Sequence, residues 1–299
     1  MDKKLHFYYK WHTLSEHSFY RVIREFVDNG CERFVITDCL LKRLIVEPEL
    51  VHFLKKLCTD MRRALVTGGT KGIGLGIVKM LLSEGFHVTV TYSSDVIAAE
   101  QSLEGLKEFE DMLCFVQADQ GCYEDMRRVV SHMMSLGHVD CLVCNAGITL
   151  RKNLLDITNE DWERVMNVNL NSNIYLVRDL YPIIPPNSRI VFIGSMMGCY
   201  PHATSLPYGV SKSALHALAI NLVKEFEGSG TTVNVVAPGF VETEWQKDKP
   251  MKIRDNIVAK TAVKRFAQVD EIANAVKFCI GNAFVNGSVI EVSGGYCFK

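Results

Sequence analysis

The chain has 299 residues, of which 48% are hydrophobic and 22% charged, a balance typical of a folded globular protein rather than a disordered one. Its 33 basic and 34 acidic residues nearly cancel, which argues against nucleic-acid binding through bulk charge. No apolar run approaches the ~18 residues of a membrane span, and the first ten residues lack the apolar segment of an export signal, so we expect a cytoplasmic protein.

The first sixty residues have a pattern of their own. Two strands and two helices are predicted there, over Leu5–Tyr9, from Ser15 to Gly30, over Phe34–Thr37 and over Glu49–Leu57. This small β-α-β-α segment predicts an N-terminal extension over 1–60 that packs on the main domain, widens an oligomer interface or remains from a fusion. Met61 directly precedes the next predicted strand, so a native start at Met61 is the alternative.

From about residue 64, short β-rich runs alternate with stretches of helical periodicity. The predicted strands are Ala64–Thr67, His87–Thr91, Leu113–Gln117, Val139–Cys144, Arg189–Ile193, Thr232–Val236 and Val289–Val292. Continuous apolar strands separated by helices are typical of a parallel sheet that is covered on both faces. We therefore predict an α/β fold with a doubly wound, Rossmann-like parallel sheet over residues 61–299.

A glycine-rich turn joins the first strand of this region to its first helix. Gly68, Gly72 and Gly74 lie within Ala64–Gly74 at the spacing GxxxGxG. Glycine lets the backbone turn tightly and come close to a pyrophosphate, and the following helix presents free N–H groups and a positive dipole end. This context indicates a dinucleotide-binding turn, and the alternative is a structural turn with no ligand.

Two of the ten cysteines, Cys141 and Cys144, have CxxC spacing within the predicted strand VDCLVC. A zinc site needs further ligands at a matching spacing, and the sequence offers neither a second CxxC nor a matching histidine pair. We interpret both cysteines as reduced, buried core side chains and expect no metal site.

Three polar side chains indicate proton-transfer chemistry. Tyr208 and Lys212 are four residues apart, so a helix places them on one face. An ammonium beside a phenol lowers the pKa of the phenol from ~10 toward neutrality, which would let Tyr208 exchange a proton with a carbonyl oxygen. Ser195 follows the strand Ile190–Gly194, at the edge where open parallel sheets bind ligands, and its hydroxyl can orient that oxygen. The alternative for Tyr208 and Lys212 is an ordinary pair on the protein surface, and the alternative for Ser195 is a serine that caps a loop.

Three motifs together resemble the short-chain dehydrogenase/reductase family. They are TGGTKGIG at 67–74, NAG at 145–147 and YGVSK at 208–212, and the resemblance covers residues 62–299. It implies that Ser195, Tyr208 and Lys212 are catalytic and that Lys212 also holds the cofactor ribose. It further implies that Asn169, chosen over two neighbouring asparagines, completes the set by holding a water that links Lys212 to solvent.

The end of the second strand and the glycine turn predict NADP(H) as the cofactor. NAD-selective sites place an acidic residue at the end of that strand to bind the ribose 2′-hydroxyl. Here the strand ends in Tyr92-Ser93-Ser94, and Asp95 comes later. Lys71 lies within the glycine turn, where a cation can meet a 2′-phosphate, and both features resemble NADP-selective family members. The alternative for Lys71 is a solvated loop charge.

The resemblance also assigns the remaining cofactor contacts. Asp119 is expected to contact the adenine amino group, or else to cap the next helix. Asn145–Gly147 is expected beside the adenine ribose, and Pro238–Thr243 in the loop that covers the nicotinamide. The predicted cofactor-binding residues are Gly68, Thr70, Lys71, Gly72, Ile73, Gly74, Tyr92, Ser93, Asp119, Asn145, Ala146, Gly147, Pro238, Gly239, Val241 and Thr243.

Longer stretches, at Asn145–Leu155, Thr232–Thr243 and Asp270–Val276, resemble 3-oxoacyl-[acyl-carrier-protein] reductases. They imply NADPH-dependent reduction of a 3-oxoacyl thioester on an acyl-carrier protein by a homotetramer. The alternatives are reduction of another ketone, sugar-derived or polyketide, and a non-catalytic dinucleotide-sensing protein. An acidic carrier needs a basic patch near the cleft. The candidates are Arg151, Lys152, Arg178 and Lys224, and the alternative for each of them is an ordinary solvated surface charge.

Overall fold

The protein is described by a computed structural model over residues 61–203 and 205–296. The predicted N-terminal extension over 1–60 lies outside the described residues. In the described part, seven strands form one parallel sheet in the order β3-β2-β1-β4-β5-β6-β7. The strands are β1 (Arg63–Val66), β2 (His87–Tyr92), β3 (Leu113–Gln117), β4 (Cys141–Cys144), β5 (Arg189–Ile193), β6 (Thr232–Pro238) and β7 (Val289–Val292).

Helices connect the successive strands, which confirms the predicted doubly wound α/β fold. They are α1 (Gly72–Ser83), α2 (Val96–Gly105), α3 (Tyr123–Leu136), α4 (Asn159–Met166), α5 (Ser172–Leu180), α6 (Leu206–Glu225), α7 (Glu244–Lys247), α8 (Met251–Lys260) and α9 (Val269–Gly281). All seven predicted strands are present. β6 extends two residues beyond its prediction because its pairing with β7 continues as far as Pro238 and Val292.

The sheet separates two hydrophobic cores, since alternate residues of each strand face opposite sides. In β1, Val66 faces the core covered by α1 and α9, whereas Leu65 faces the core covered by α3, α5 and α6. Both side chains are fully buried, and burial of such a side chain stabilises the fold by about 1.5–3 kcal/mol. Burial on both faces explains why the strands are apolar throughout rather than alternating.

The two cysteines of the CxxC sequence lie in these cores, as predicted. Cys141 belongs to one core and Cys144 to the other, so their side chains point to opposite faces of β4 and do not converge on one ligand. Burial raises the pKa of the Cys141 thiol to about 12 and also raises that of Cys144. Both groups therefore remain neutral thiols at physiological pH.

The strand order reverses at β1, which has β2 on one side and β4 on the other. Helices that follow neighbouring strands on the two sides of this point leave in opposite directions and open a crevice at the carboxyl ends of the strands. Among residues 61–203 and 205–296, none of the helices combines the length and apolar character that a bilayer crossing requires.

Candidate active site

The carboxyl ends of the strands border a cleft of about 770 Å³. The cleft runs from the glycine turn after β1 to the loops that follow β5 and β6. Every site residue predicted from the sequence lines this cleft except Asn169, which is fully buried behind it. Residues spread over 175 positions of the sequence, from Gly68 to Thr243, are thus brought to one edge of the sheet.

The glycine turn has the geometry that a phosphate group requires. Gly68 and Gly72 have φ values of 64° and 53°, in the left-handed region that favours glycine. A Cβ on Gly74 would lie 2.2 Å from the Gly68 carbonyl oxygen, so the backbone approaches itself too closely for a side chain. The side chain of Lys71, the N-cap residue of α1, makes no capping hydrogen bond, and the first residues of the helix line the cleft. The turn therefore fits the pyrophosphate of a dinucleotide.

Asn145 holds the glycine turn against the segment that follows β4. Its side-chain amide donates to the carbonyl oxygens of Thr67 and Gly68 at 3.0 and 2.9 Å. A Cβ on Gly68 would lie 3.1 Å from the Cα of Ala146. Asn145 and Ala146 thus form one wall of the cleft beside the turn.

At the far end of the cleft, Lys71 faces the loop after β2. Tyr92 and Ser93 line the cleft there, and the side-chain amide of Gln117 donates to the Ser93 carbonyl at 2.9 Å. The Lys71 ammonium is not isolated in solvent, because it donates to Asp95 Oδ2 at 2.9 Å. Asp95 therefore belongs to this end of the site, although it follows β2 by three residues.

Asp119 lines the cleft and forms an ion pair that the sequence did not reveal. Its two carboxylate oxygens accept from Nη2 of Arg164 at 3.1 and 3.0 Å. The Asp119 Oδ1 also accepts from the N–H of Gly121 at 2.8 Å, within the turn before α3. Arg164 lines the cleft as well, so this ion pair forms part of the site.

Ser195 and Tyr208 meet at the opposite end of the cleft. Ser195 follows β5, and Tyr208 lies in the first turn of α6; the Ser195 hydroxyl is close enough to the phenol to influence its pKa. Only 7% of Ser195 and 9% of Tyr208 are exposed. Burial raises the pKa of Tyr208 above its usual value, and the Ser195 hydroxyl offsets part of this change.

Lys212 lies one helical turn after Tyr208, as predicted, but its effect on Tyr208 differs from the prediction. Its ammonium donates to the Ile193 carbonyl at 2.7 Å and lies 5.8 Å from the centre of the Tyr208 ring. Burial lowers the pKa of Lys212 itself to about 8. The predicted lowering of the Tyr208 pKa toward neutrality is therefore wrong for this structure, because burial is the largest influence on that pKa and raises it, while the ammonium is bound to Ile193.

Asn169 lies in a π turn, Asn167–Asn171, between α4 and α5. Its Oδ1 accepts from the N–H of Ile148 at 2.8 Å, and its Nδ2 donates to the Ile148 carbonyl at 2.9 Å and to Ser211 Oγ at 3.0 Å. The flanking asparagines instead bond to each other on the exposed side, at 2.7 Å. The structure thus places Asn169 directly behind the wall of the cleft, next to α6, and places neither Asn167 nor Asn171 there.

The loop after β6 closes over the glycine turn. Gly239 packs against the segment after β7, where a Cβ on Gly239 would lie 2.8 Å from the Cα of Ser293. Val241 is buried, and the Thr243 methyl group lies 3.4 Å from the position of a Cβ on Gly72. The loop therefore faces the turn across the cleft, as expected for a segment that covers a bound dinucleotide.

Only one of the four candidates for a basic patch lies at the cleft. Arg151 lines it, whereas the other three side chains do not. They pair with nearby carboxylates instead: Lys152 with Asp161, Arg178 with Asp179 and Lys224 with Glu227. The charges of these three are thus balanced by neighbouring carboxylates, which leaves Arg151 as the one candidate that borders the cleft.

His216 supports the site and was not singled out in the sequence. It is 7% exposed and lies one turn after Lys212 on α6. Its Nε2 accepts from the N–H of Ser195 at 3.4 Å, and a Cβ on Gly194 would clash with it at 2.3 Å. Burial and the nearby Lys212 lower the pKa of His216 to about 4, so the imidazole is neutral. The only signal in the sequence was its spacing from Tyr208 and Lys212.

Replacing Gly74 with alanine is expected to weaken NADPH binding about tenfold or more. The added methyl group would meet the Gly68 carbonyl at 2.2 Å and the Asn145 amide at 2.6 Å, so the turn would have to open. Forced overpacking of this kind costs about 1–3 kcal/mol. A fluorescence titration with NADPH measures the change. Gly105→Ala is the matched control, because nothing lies within 4 Å of its added methyl group. Equal binding by the two variants would contradict the predicted role of the turn.

Comparisons with known proteins agree with this geometry. The family model for short chain dehydrogenases matches residues 62–253. Acetoacetyl-CoA reductase of Allochromatium vinosum is 33% identical over 241 residues, which are 78% of this chain and 98% of that protein. The 3-oxoacyl-[acyl-carrier-protein] reductase FabG of Staphylococcus epidermidis is 28% identical, with the same coverage of both chains.

Solved structures with the same fold include two that hold the predicted cofactor. A blue fluorescent protein from a metagenomic library, in complex with NADPH, is 31% identical and superposes with a TM-score of 0.73 over 79% of this chain and 97% of that one. A short chain dehydrogenase from Burkholderia cenocepacia, in complex with NADP, is 28% identical with a TM-score of 0.74 over 79% and 98%. Because the family match spans both the glycine turn and the helix that carries Tyr208 and Lys212, the chain belongs to the short-chain dehydrogenase family.

Proposed function

We propose that this oxidoreductase is an NADPH-dependent reductase of 3-oxoacyl thioesters carried by an acyl-carrier protein. The observation that carries the proposal is the placement of Ser195, Tyr208 and Lys212 together in the same cleft as the glycine turn. This arrangement provides a proton donor and a carbonyl-orienting hydroxyl within one ligand site.

The chain binds NADP(H), and the cleft has groups for each part of it. The turn around Gly68 and Gly74 receives the pyrophosphate, and Lys71 receives the 2′-phosphate. Asp119 would contact the adenine and Asn145 and Ala146 its ribose, whereas Gly147 adjoins the catalytic end, because a Cβ on Gly147 would lie 3.5 Å from Lys212 Nζ. Pro238–Thr243 faces the turn from the other side and covers the nicotinamide. When bound, the reduced nicotinamide supplies a hydride to the carbonyl carbon.

The residues of the chain supply orientation and the proton. The Ser195 hydroxyl donates to the carbonyl oxygen and orients it toward Tyr208. The Tyr208 phenol, whose pKa is raised by burial, keeps its proton at neutral pH and donates it to the same oxygen. Lys212 holds the cofactor ribose, and its charge stabilises the phenolate that remains. Asn169 holds a water that links Lys212 to solvent; Lys212 passes a proton to the phenolate of Tyr208 and regains one from solvent through this water.

The substrate class rests on the relatives and on the cleft. Two of them are named for reduction of an acetoacetyl or a 3-oxoacyl thioester, and each is covered almost from end to end. Arg151 at the cleft offers a cation to an acidic carrier. We further propose that the enzyme is a cytoplasmic homotetramer and that residues 1–60 form an extension separate from the catalytic domain at 61–299.

The test is the consumption of NADPH in the presence of an acetoacetyl thioester, with NADH assayed in parallel. The proposal predicts rapid oxidation of NADPH and slower oxidation of NADH. Tight NADPH binding without turnover would contradict the thioester as substrate. If the enzyme instead reduced a sugar-derived or polyketide ketone, the proposed roles of the proton-transfer residues would stand and only the proposed substrate class would be wrong.

A further inference from the structure

The ion pair between Lys71 and Asp95 lies at the adenosine end of the cleft. The Lys71 ammonium donates to Asp95 Oδ2 at 2.9 Å, and both residues line the cleft. Their side chains are 47% and 44% exposed, so ligands can reach the pair. Lys71 immediately precedes α1 and Asp95 immediately precedes α2, so the pair bridges the loops after β1 and β2.

A second contact fixes the orientation of the Asp95 carboxylate. Its Oδ1 accepts from the N–H of Ala98 at 3.0 Å and caps the N-terminus of α2. With one oxygen bound to the helix, the other is directed at Lys71. The hydrogen bonds from Lys71 and Ala98 lower the pKa of Asp95, so it remains a carboxylate at neutral pH.

This arrangement affects nucleotides with and without a 2′-phosphate differently. A 2′-phosphate that binds the Lys71 ammonium can displace the Asp95 carboxylate from it. Otherwise the phosphate and the carboxylate both bind the ammonium, and the two negative charges then repel each other at short distance. A nucleotide with a free 2′-hydroxyl requires no such exchange. The phosphate therefore gains less from Lys71 than it would from an unpaired lysine.

We propose that Asp95 is a specificity-determining residue that competes with the 2′-phosphate of NADP(H) for Lys71. The preference of the enzyme for NADP(H) over NAD(H) is then set by two opposed residues, Lys71 in favour and Asp95 against. The inference rests on the proposed placement of the 2′-phosphate at Lys71 and does not depend on the acyl substrate.

The experiment compares Asp95→Asn with the unaltered full-length protein by calorimetric titration. The two probes are adenosine 2′,5′-bisphosphate and adenosine 5′-monophosphate, which differ only in the 2′-phosphate. Asparagine keeps the helix cap while removing the charge. We expect the bisphosphate to bind about fivefold more tightly, which corresponds to the upper range for an exposed ion pair. Binding of the monophosphate should change less than about twofold.

The same titrations in Lys71→Gln test whether Asp95 acts through Lys71. Asp95→Asn should give a much smaller gain in that background, and an undiminished gain would overturn the competition. Weaker bisphosphate binding by the single variant Asp95→Asn would also overturn the competition, because it would show that Asp95 positions Lys71 for binding the phosphate. An equal change for both probes would show an effect on helix capping and would likewise contradict the proposal.

Glu84→Gln serves as the matched control. Glu84 forms an exposed ion pair with Lys277 outside the cleft, so its loss should alter the binding of neither probe. Because no acyl substrate is present, the titrations also separate this inference from the proposed reaction. A protein that showed the bisphosphate-selective gain yet did not reduce thioesters would contradict the proposed substrate and support the role of Asp95.

Discussion

Tyr208→Phe is expected to reduce turnover about a thousandfold and to leave NADPH binding within about twofold of the unaltered protein. The substitution removes the hydroxyl that lies near Ser195 and keeps the ring that fills the buried site. General acid catalysis contributes about 10²–10⁴-fold, and no other phenol adjoins Ser195 among the residues that line the cleft. Single-turnover kinetics and a fluorescence titration measure the two effects separately.

Tyr123→Phe is the control for this prediction. The Tyr123 ring is half-exposed and lies outside the cleft, so its substitution should leave turnover unchanged. If Tyr208→Phe kept most of its turnover, proton donation would have to come from another group. If the variant lost turnover but preserved the biological activity of the protein, the dinucleotide-sensing alternative would replace the enzyme.

Lys212→Met is expected to lower turnover about a hundredfold or more and to change its dependence on pH. The Lys212 pKa of about 8 means that the unaltered enzyme loses this positive charge as the pH rises through that value. Its reductase activity should therefore decline above about pH 8, where the phenolate of Tyr208 is no longer stabilised. The residual activity of the variant should lack this decline, because methionine does not titrate.

Thermal unfolding gives a second readout of the same substitution. The pKa of Lys212 falls on folding, from 10.5 to about 8, so the folded state binds fewer protons than the unfolded state between these values. Stability therefore increases with pH across this window, and the buried ammonium is destabilising below it. We expect Lys212→Met to unfold at the same or a higher temperature than the unaltered protein. An unchanged decline in activity near pH 8 in the variant would assign that titration to another group.

The sequence predicted the strands and the positions of the cleft residues well, for a physical reason. Strands that are buried on both faces, such as Leu142 and Val143 in β4, must be apolar throughout, and the residues that follow them must lie at one edge of the sheet. Gly68 and Gly74 were identifiable because a phosphate-binding turn excludes side chains there.

Contacts between residues that are distant in the sequence could not be predicted. The pairing of Asp119 with Arg164 depends on how α4 lies beside β3, and that of Lys71 with Asp95 on how two loops meet. Neither arrangement follows from local pattern. The pKa of Tyr208 was predicted from one neighbour alone, whereas it depends on burial by the whole site.

The π turn at Asn167–Asn171 ties the site to the length of one helical segment. α4, the turn and α5 follow each other without a break from Asn159 to Leu180, so the wide turn accommodates one extra residue within a continuous helix. Deleting a residue there would restore regular helical winding, so α4 and α5 would keep nearly the same relative orientation while the widened turn that carries Asn169 is lost. Asn169 would then leave the backbone of Ile148 while Arg164 stayed beside Asp119, so a single deletion would disturb the catalytic end of the cleft and spare the other.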